Sequence, residues 1–170
     1  MSKSRFSPRQ LAIAGIIAAV YAVLTLFLPI PQYGGVQLRV AEAMTVLPFL
    51  LPEAIPGLAV GCFIANLSSP FVLDWVVGTA ATLIAALWTS RLRNKWLTPI
   101  PPVLCNAVII GAEIAWLSTG DGAPFLPAFA LNAATVGLGE AIACAALGLP
   151  LLCWMSRNPA LKPYLSRRAG

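Results

Sequence analysis

From Leu11 to Ile30 the chain runs for twenty positions without a charged side chain. A helix of that length rises about 30 Å, the thickness of a bilayer's hydrocarbon core. Pro29 and Pro31 close the run, and Gln32-Tyr33-Gly34-Gly35 follows as a turn-forming stretch. Further apolar runs extend from Phe71 to Ser90, from Pro102 to Leu117 and from Pro124 to Trp154. Arg91-Leu92-Arg93-Asn94-Lys95 separates the first two of these, and a polar turn from Ser118 to Ala123 separates the last two. The stretch from Val36 to Ser69 reads either as one long span or as two short ones parted at Leu51-Pro52-Glu53.

Charge placement decides between these readings, because cytoplasmic loops collect Lys and Arg. With two short spans there are six in all. An inside N-terminus then puts 10 of the 11 Lys and Arg residues on the cytoplasmic side, with only Arg39 outside. With one span there are five, and only Lys3, Arg5 and Arg9 stay inside while eight fall outside. The pattern therefore predicts an all-α integral membrane protein of six transmembrane helices, a single membrane domain with both termini cytoplasmic. The helices are expected at about 9–30, 38–50, 54–68, 72–91, 101–118 and 125–154, followed by a tail over 155–170. Lys3, Arg5 and Arg9 ahead of an apolar run imitate a secretion signal, but the run is too long, and it reads as an uncleaved first span.

Composition agrees. Hydrophobic residues make up 59% and charged residues 10%, against about 25% charged in a soluble domain. The net charge of +5 lies in clusters beside apolar runs and not in a basic stripe interleaved with aromatics. That arrangement argues against nucleic acid as a partner. With no histidine, His-based triads and most zinc sites fall away. Cys62, Cys105, Cys144 and Cys153 lack metal-ligand spacing and read as small packing residues, and no cofactor is expected.

Ionisable side chains inside a membrane cost roughly 2.5–3.5 kcal/mol each on insertion scales, so each one is a functional candidate. Arg39 and Glu42 enter the second span from outside, and Asp74 opens the fourth. Glu113 lies in the outer half of the fifth span, with Asn106 deeper. Asn132 lies in the outer half of the sixth, Glu140 near its middle, and Asn66 at the outer end of the third. This clustering in the outer half suits a receptor site open to the outside, whereas a channel spreads polar groups over the full depth. Simpler roles stand beside it: an Arg39/Glu42 pair at i, i+3, a helix-capping Asp74, and an interhelical hydrogen bond from Asn106. Gly137 and Gly139 next to Glu140 open space for a ligand or for another backbone. Tyr33, Phe71, Trp75, Trp116 and Phe129 form either an interfacial belt or a stacking wall for a planar ligand. Ala14, Ala18 and Ala22 repeat at i, i+4 and i+8, where small residues let another helix approach closely, from this bundle or from a separate subunit.

Several stretches taken together resemble the QueT family: Gln37-Leu38-Arg39-Val40-Ala41-Glu42-Ala43, Leu47-Pro48, Ala54-Ile55-Pro56-Gly57, Gly61-Cys62-Phe63-Ile64-Ala65-Asn66-Leu67, and Gly78-Thr79-Ala80-Ala81-Thr82-Leu83. Pro101-Pro102-Val103-Leu104-Cys105-Asn106-Ala107, Val136-Gly137-Leu138-Gly139-Glu140-Ala141 and Leu147-Gly148-Leu149-Pro150 extend the resemblance over nearly the whole chain. The members of that family are substrate-binding S-components of energy-coupling factor (ECF) transporters for queuosine precursors. The resemblance implies an S-component-like bundle in a prokaryotic plasma membrane, in contact with lipid. It implies partners as well: a transmembrane coupling protein, docked on the face of Ala14, Ala18 and Ala22, and two ATPase subunits. The chain has no Gly-rich P-loop of its own. The loop around Tyr33–Gln37 would serve as a lid.

A 7-deazaguanine ligand presents N1–H and a 2-amino group side by side, two parallel donors that one carboxylate accepts in a fork. Glu140 is the first candidate for that fork and Glu113 the second. Asn106 or Asn132 would donate to O6, Glu42 or Asp74 would meet an aminomethyl ammonium, and Trp75 or Trp116 would stack on the base. Other functional classes remain: an S-component for a different vitamin-like solute, a stand-alone carrier with Glu140 or Glu113 as proton site, or an intramembrane enzyme. The last lacks both histidine and a serine–lysine pair at shared depth.

Overall fold

The computed structural model describes residues 7–28, 39–120, 122 and 124–165, and the expected lid around Tyr33–Gln37 lies outside them. All regular structure among the described residues is helical. Helix α1 spans Pro8–Phe27, a 3-10 helix spans Val40–Phe49, α2 spans Ala54–Asn66, α3 spans Leu73–Thr89 and α4 spans Ile100–Thr119. Helix α5 (Phe125–Ala141) passes through a π-helical stretch (Ile142–Gly148) into α6 (Leu149–Arg157). Each of the six expected apolar stretches is thus helical. Three of them, Pro8–Phe27, Lys95–Thr119 and Phe125–Arg157, are long and apolar enough to cross a membrane, and the other three are shorter.

Helix α1 starts at a reciprocal cap: the Ser7 hydroxyl accepts from Gln10 N at 3.3 Å, and the Gln10 side chain accepts from Ser7 N at 2.9 Å. Pro8 occupies the first turn, where its missing N–H costs nothing. The helix is apolar all round, as a lipid-facing helix must be. Its buried stripe is Ala14, Ile17, Ala18, Tyr21, Ala22 and Thr25, and α2 covers it. Glycines make the approach possible. A Cβ at Gly57 would lie 2.7 Å from the Ala14 carbonyl oxygen, and one at Gly61 would lie 2.8 Å from that of Ala18.

The expected second span is a 3-10 helix. That form rises about 2.0 Å per residue against about 1.5 Å for an α-helix, so its ten residues reach about 20 Å instead of about 15 Å. Every residue from Ala41 to Leu51 is buried. The segment lies against the π-helical stretch, where a Cβ at Gly148 would meet the Ala43 carbonyl oxygen at 2.8 Å. That stretch has its own cause two residues on: Pro150 offers no N–H and its ring excludes the carbonyl one turn earlier. The chain widens just before it, with Leu149 N donating to Cys144 O five residues back.

One large apolar core joins α1, the 3-10 helix, α2 and the π-helical stretch, with Leu152 of α6. A smaller one joins α3, α4 and α5 through Ala81, Ile110 and Val136. At Gly137 the open choice between ligand and backbone resolves to helix packing, because a Cβ there would meet Ala107 at 3.2 Å. At one end of the bundle the start of α1 meets the turn before α2 and the tail. Gln10 Nε2 donates to Glu53 Oε1 at 2.9 Å, and Arg9 donates to the Pro163 carbonyl at 3.0 Å. At the other end α2 is tied to α3 by Asn66 Nδ2, which donates to the Asp74 carbonyl at 2.9 Å.

The α1–α2 contact predicts a sharp response to volume. Gly61→Leu should cost about 1–3 kcal/mol through overpacking and lower the thermal midpoint in detergent, while Val76→Leu on the outward face of α3 should not. Equal midpoints for the two variants would show that the backbones are not in contact.

Candidate substrate-binding site

The site begins where the 3-10 helix begins. Arg39 is the N-cap of that helix and Glu42 lies in its first turn, both buried. The i, i+3 relation seen in the sequence is therefore an electrostatic pair. Arg39 also acts on Asp74 at the start of α3, on Glu113 of α4 and on Glu140 of α5. Four of the six acidic residues of the chain, each from a different element, are thus coupled to one guanidinium. No other Lys or Arg occurs between positions 39 and 91 or between 95 and 157.

The carboxyl groups differ in how their oxygens are occupied. Glu42 is 1% exposed, and its Oε1 accepts from the Tyr21 hydroxyl. Its backbone carbonyl takes the Thr45 hydroxyl at 2.6 Å and the Cys144 thiol at 3.4 Å. Asn106 Nδ2 donates to Glu140 Oε1 at 2.5 Å, and the Cys144 thiol points to Glu140 Oε2 at 3.7 Å. Asp74 Oδ2 accepts from the Ser69 hydroxyl at 2.5 Å. Glu113 is different: its carboxyl lies against that of Asp74, and apart from this carboxyl-to-carboxyl contact its buried oxygens have no hydrogen-bond partner among the described residues. Glu42 Oε2 and the indole Nε1 of Trp75 are likewise buried and without a partner among them. Buried polar atoms in a folded protein are nearly always bonded, so such a group of exceptions marks where something else binds.

Asn66 ties α2 to α3 next to Asp74. Its amide donates to Cys62 Sγ at 3.4 Å as well as to the Asp74 carbonyl. It fits only because position 78 is glycine, where a Cβ would stand 2.6 Å from Asn66 Nδ2. The Thr82 hydroxyl completes the set by donating to Cys62 at 3.3 Å.

Several expected members do not join. Trp116 is 68% exposed, so its assignment as a stacking wall is corrected. An indole near the end of an apolar helix is stable at the bilayer interface, with its ring in hydrocarbon and its N–H in water. Phe71 is exposed, and Phe129 stacks on Phe125 with ring centroids 6.0 Å apart. Tyr33 lies outside the described residues. Trp75 is therefore the aromatic of the expected wall that remains at the site. Asn132 is buried, but its amide donates to Ala128 O of its own helix at 2.8 Å. Ala14, Ala18 and Ala22 are covered by α2, so that stripe is not an open face. The small residues that α1 leaves exposed are Ala12, Gly15 and Ala19.

Tyr21, Thr45 and Cys144 are members that the sequence reading missed. Tyr21 is 1% exposed despite its hydroxyl, and a phenol at mid-helix in an apolar run was the available signal. Among the described residues, no group of three or more Cys, Asp or Glu side chains is placed to hold a metal ion. The arrangement is rich in acceptors around one cation, which suits a ligand rich in N–H donors or carrying a positive charge, and disfavours an anion.

Known proteins place the chain by family. No curated protein and no solved structure matches it. A family model described as QueT transporter matches residues 11–157. That range takes in every residue of the cluster, from Tyr21 to Cys144, together with three helices able to cross a membrane. The chain is a membrane protein with a transport role, and it belongs to the QueT transporter family.

Proposed function

We propose that this chain is the substrate-capturing S-component of an ECF importer, and that it takes up a 7-deazaguanine precursor of queuosine. In this reading the bundle crosses the plasma membrane six times with both termini cytoplasmic, the arrangement that the Lys and Arg distribution supports. The carboxyl cluster then lies in the outer half, on the side from which solute arrives. A transmembrane coupling protein and two ATPases supply the energy, which a chain without a P-loop cannot.

The observation that carries the reading is Glu113, buried against the Asp74 carboxyl and otherwise without a hydrogen-bond partner for its oxygens among the described residues. A fork to N1–H and the 2-amino group needs both oxygens of one carboxylate. Glu140 has Oε1 committed to Asn106 at 2.5 Å, so the two candidates change places. Glu113 takes the fork, and Glu140 fixes the α4–α5 side of the site. The unpaired Trp75 N–H replaces Asn106 and Asn132 as donor to O6. Glu42 Oε2, also without a partner among the described residues, is the acceptor for an aminomethyl ammonium, with Asp74 as the alternative.

A hydrogen bond to a charged group contributes about 1.5–3 kcal/mol, so Glu113→Gln should weaken binding by roughly ten- to a hundredfold. Titration calorimetry of the purified protein with 7-aminomethyl-7-deazaguanine measures this, with Glu140→Gln expected to change affinity less. If Glu113→Gln binds as tightly as the wild type, the fork is misassigned.

Docking of the coupling protein moves one residue around α1, to Gly15 and Ala19. These keep the small-x-x-x-small spacing and face outward, with nothing within 4 Å of a Cβ at Gly15. Gly15→Leu should therefore leave precursor binding intact and abolish uptake in cells that carry the whole transporter. Normal uptake by this variant would exclude that face.

A further inference from the structure

A second polar site lies at the far end of the bundle from the carboxyl cluster. A cavity of about 340 Å³ is lined by Ser7, Arg9, Gln10, Glu53 and the tail residues Pro163 and Tyr164. Glu53 is more than nine-tenths buried. Its Oε1 accepts from Gln10, and its Oε2 has no partner among the described residues. Arg9 is fixed across the cavity by its bond to the Pro163 carbonyl and by stacking over the Tyr164 ring, 3.9 Å from the centroid. An anchored cation and a buried carboxyl residue thus line one space.

Ile13 and Tyr164 also line a second cavity of about 220 Å³, which continues along α1 past Ile16 and Ile17 to Leu47 and Leu51. Its walls are apolar side chains and the Tyr164 ring. Ile13 and Ile17 lie one and two turns of α1 beyond Gln10, toward the middle of the bundle, so the polar cavity sits at the helix end and the apolar groove runs inward from it. That order, polar at the end and apolar toward the centre, is the order of a lipid molecule in one leaflet.

We propose that the two cavities together bind one phospholipid with an ethanolamine headgroup. The primary ammonium donates to Glu53 Oε2, the phosphate lies against the Arg9 guanidinium and the Ser7 hydroxyl, and an acyl chain fills the groove. The lining distinguishes headgroups. A choline nitrogen has no N–H to satisfy the buried carboxylate oxygen, and a glycerol headgroup has no cation. A basic side chain from a partner protein would answer Glu53 but leave both Arg9 and the groove unoccupied. The lipid answers all three.

Native mass spectrometry of the full chain with phosphatidylethanolamine, phosphatidylcholine and phosphatidylglycerol of matched acyl chains tests this. The ethanolamine lipid should be retained about tenfold more than either competitor, and Glu53→Gln, which keeps the Gln10 contact, should bring the three within about twofold. Ile16→Trp should fill the groove and reduce the ethanolamine adduct about tenfold with the polar lining unchanged, and it decides the matter if Glu53→Gln does not fold. Equal retention of the three lipids by the wild type overturns the proposal. So does an undiminished preference in Glu53→Gln or an undiminished adduct in Ile16→Trp. Carbodiimide coupling of Glu53 to a partner's lysine in the assembled transporter, without lipid in the cavity, overturns it in favour of a protein contact.

Discussion

One guanidinium sits in the electrostatic field of every carboxyl group at the functional end of this bundle. Arg39 is coupled to four carboxyl groups that arrive on four different elements, all buried in an apolar protein. Buried charges persist only where they are paired and hydrogen-bonded. The surrounding hydroxyl, thiol and amide groups are placed accordingly: Tyr21 on Glu42, Ser69 on Asp74, Asn106 and Cys144 on Glu140. Glu113 is the acid to which the described residues offer no hydroxyl, thiol or amide donor, only the neighbouring Asp74 carboxyl. The site is therefore built with acceptors in excess, and a donor-rich ligand supplies what the protein leaves out.

Backbone geometry delivers those groups. The 3-10 helix stretches ten residues, nine of them buried, over the reach of a longer α-helix, with Arg39 as its N-cap and Glu42 in its first turn. The π-helical stretch opposite widens the chain ahead of Pro150 and turns Cys144 toward both Glu42 and Glu140. A tight helix and a wide one thus face each other at the site, and Gly148 lets them touch. Irregular backbone inside a membrane protein survives where protein buries it, and every residue from Ala41 to Leu51 is buried here.

Much of this was legible in the residues. The six stretches, their order and the shortness of the second and third followed from apolar run lengths and from the placement of Lys and Arg. Arg39, Glu42, Asp74, Glu113, Glu140 and Asn106 were singled out because ionisable and amide groups are costly in apolar runs, and the fold brings these six together. The failures share a different character. Trp116 was drawn inward although it faces out, and the alanine stripe was drawn outward although it faces in. Tyr21 was passed over, and Glu140 was ranked above Glu113.

The chain by itself determined what enters the membrane, because transfer from water to hydrocarbon sums locally over consecutive residues. It also determined which groups are costly there. It did not determine which way each helix faces. In a soluble helix the polar side marks the outside, but α1 is apolar toward both lipid and core, so a one-residue step of about 100° leaves little trace in its pattern. Tertiary packing made that choice. Gly57 and Gly61 admit Ala14 and Ala18 of α1, and that contact turns Gly15 and Ala19 outward and Tyr21 onto Glu42. Occupancy was settled in the same way: whether a buried carboxylate is already satisfied depends on neighbours more than thirty positions away, as Asn106 is from Glu140.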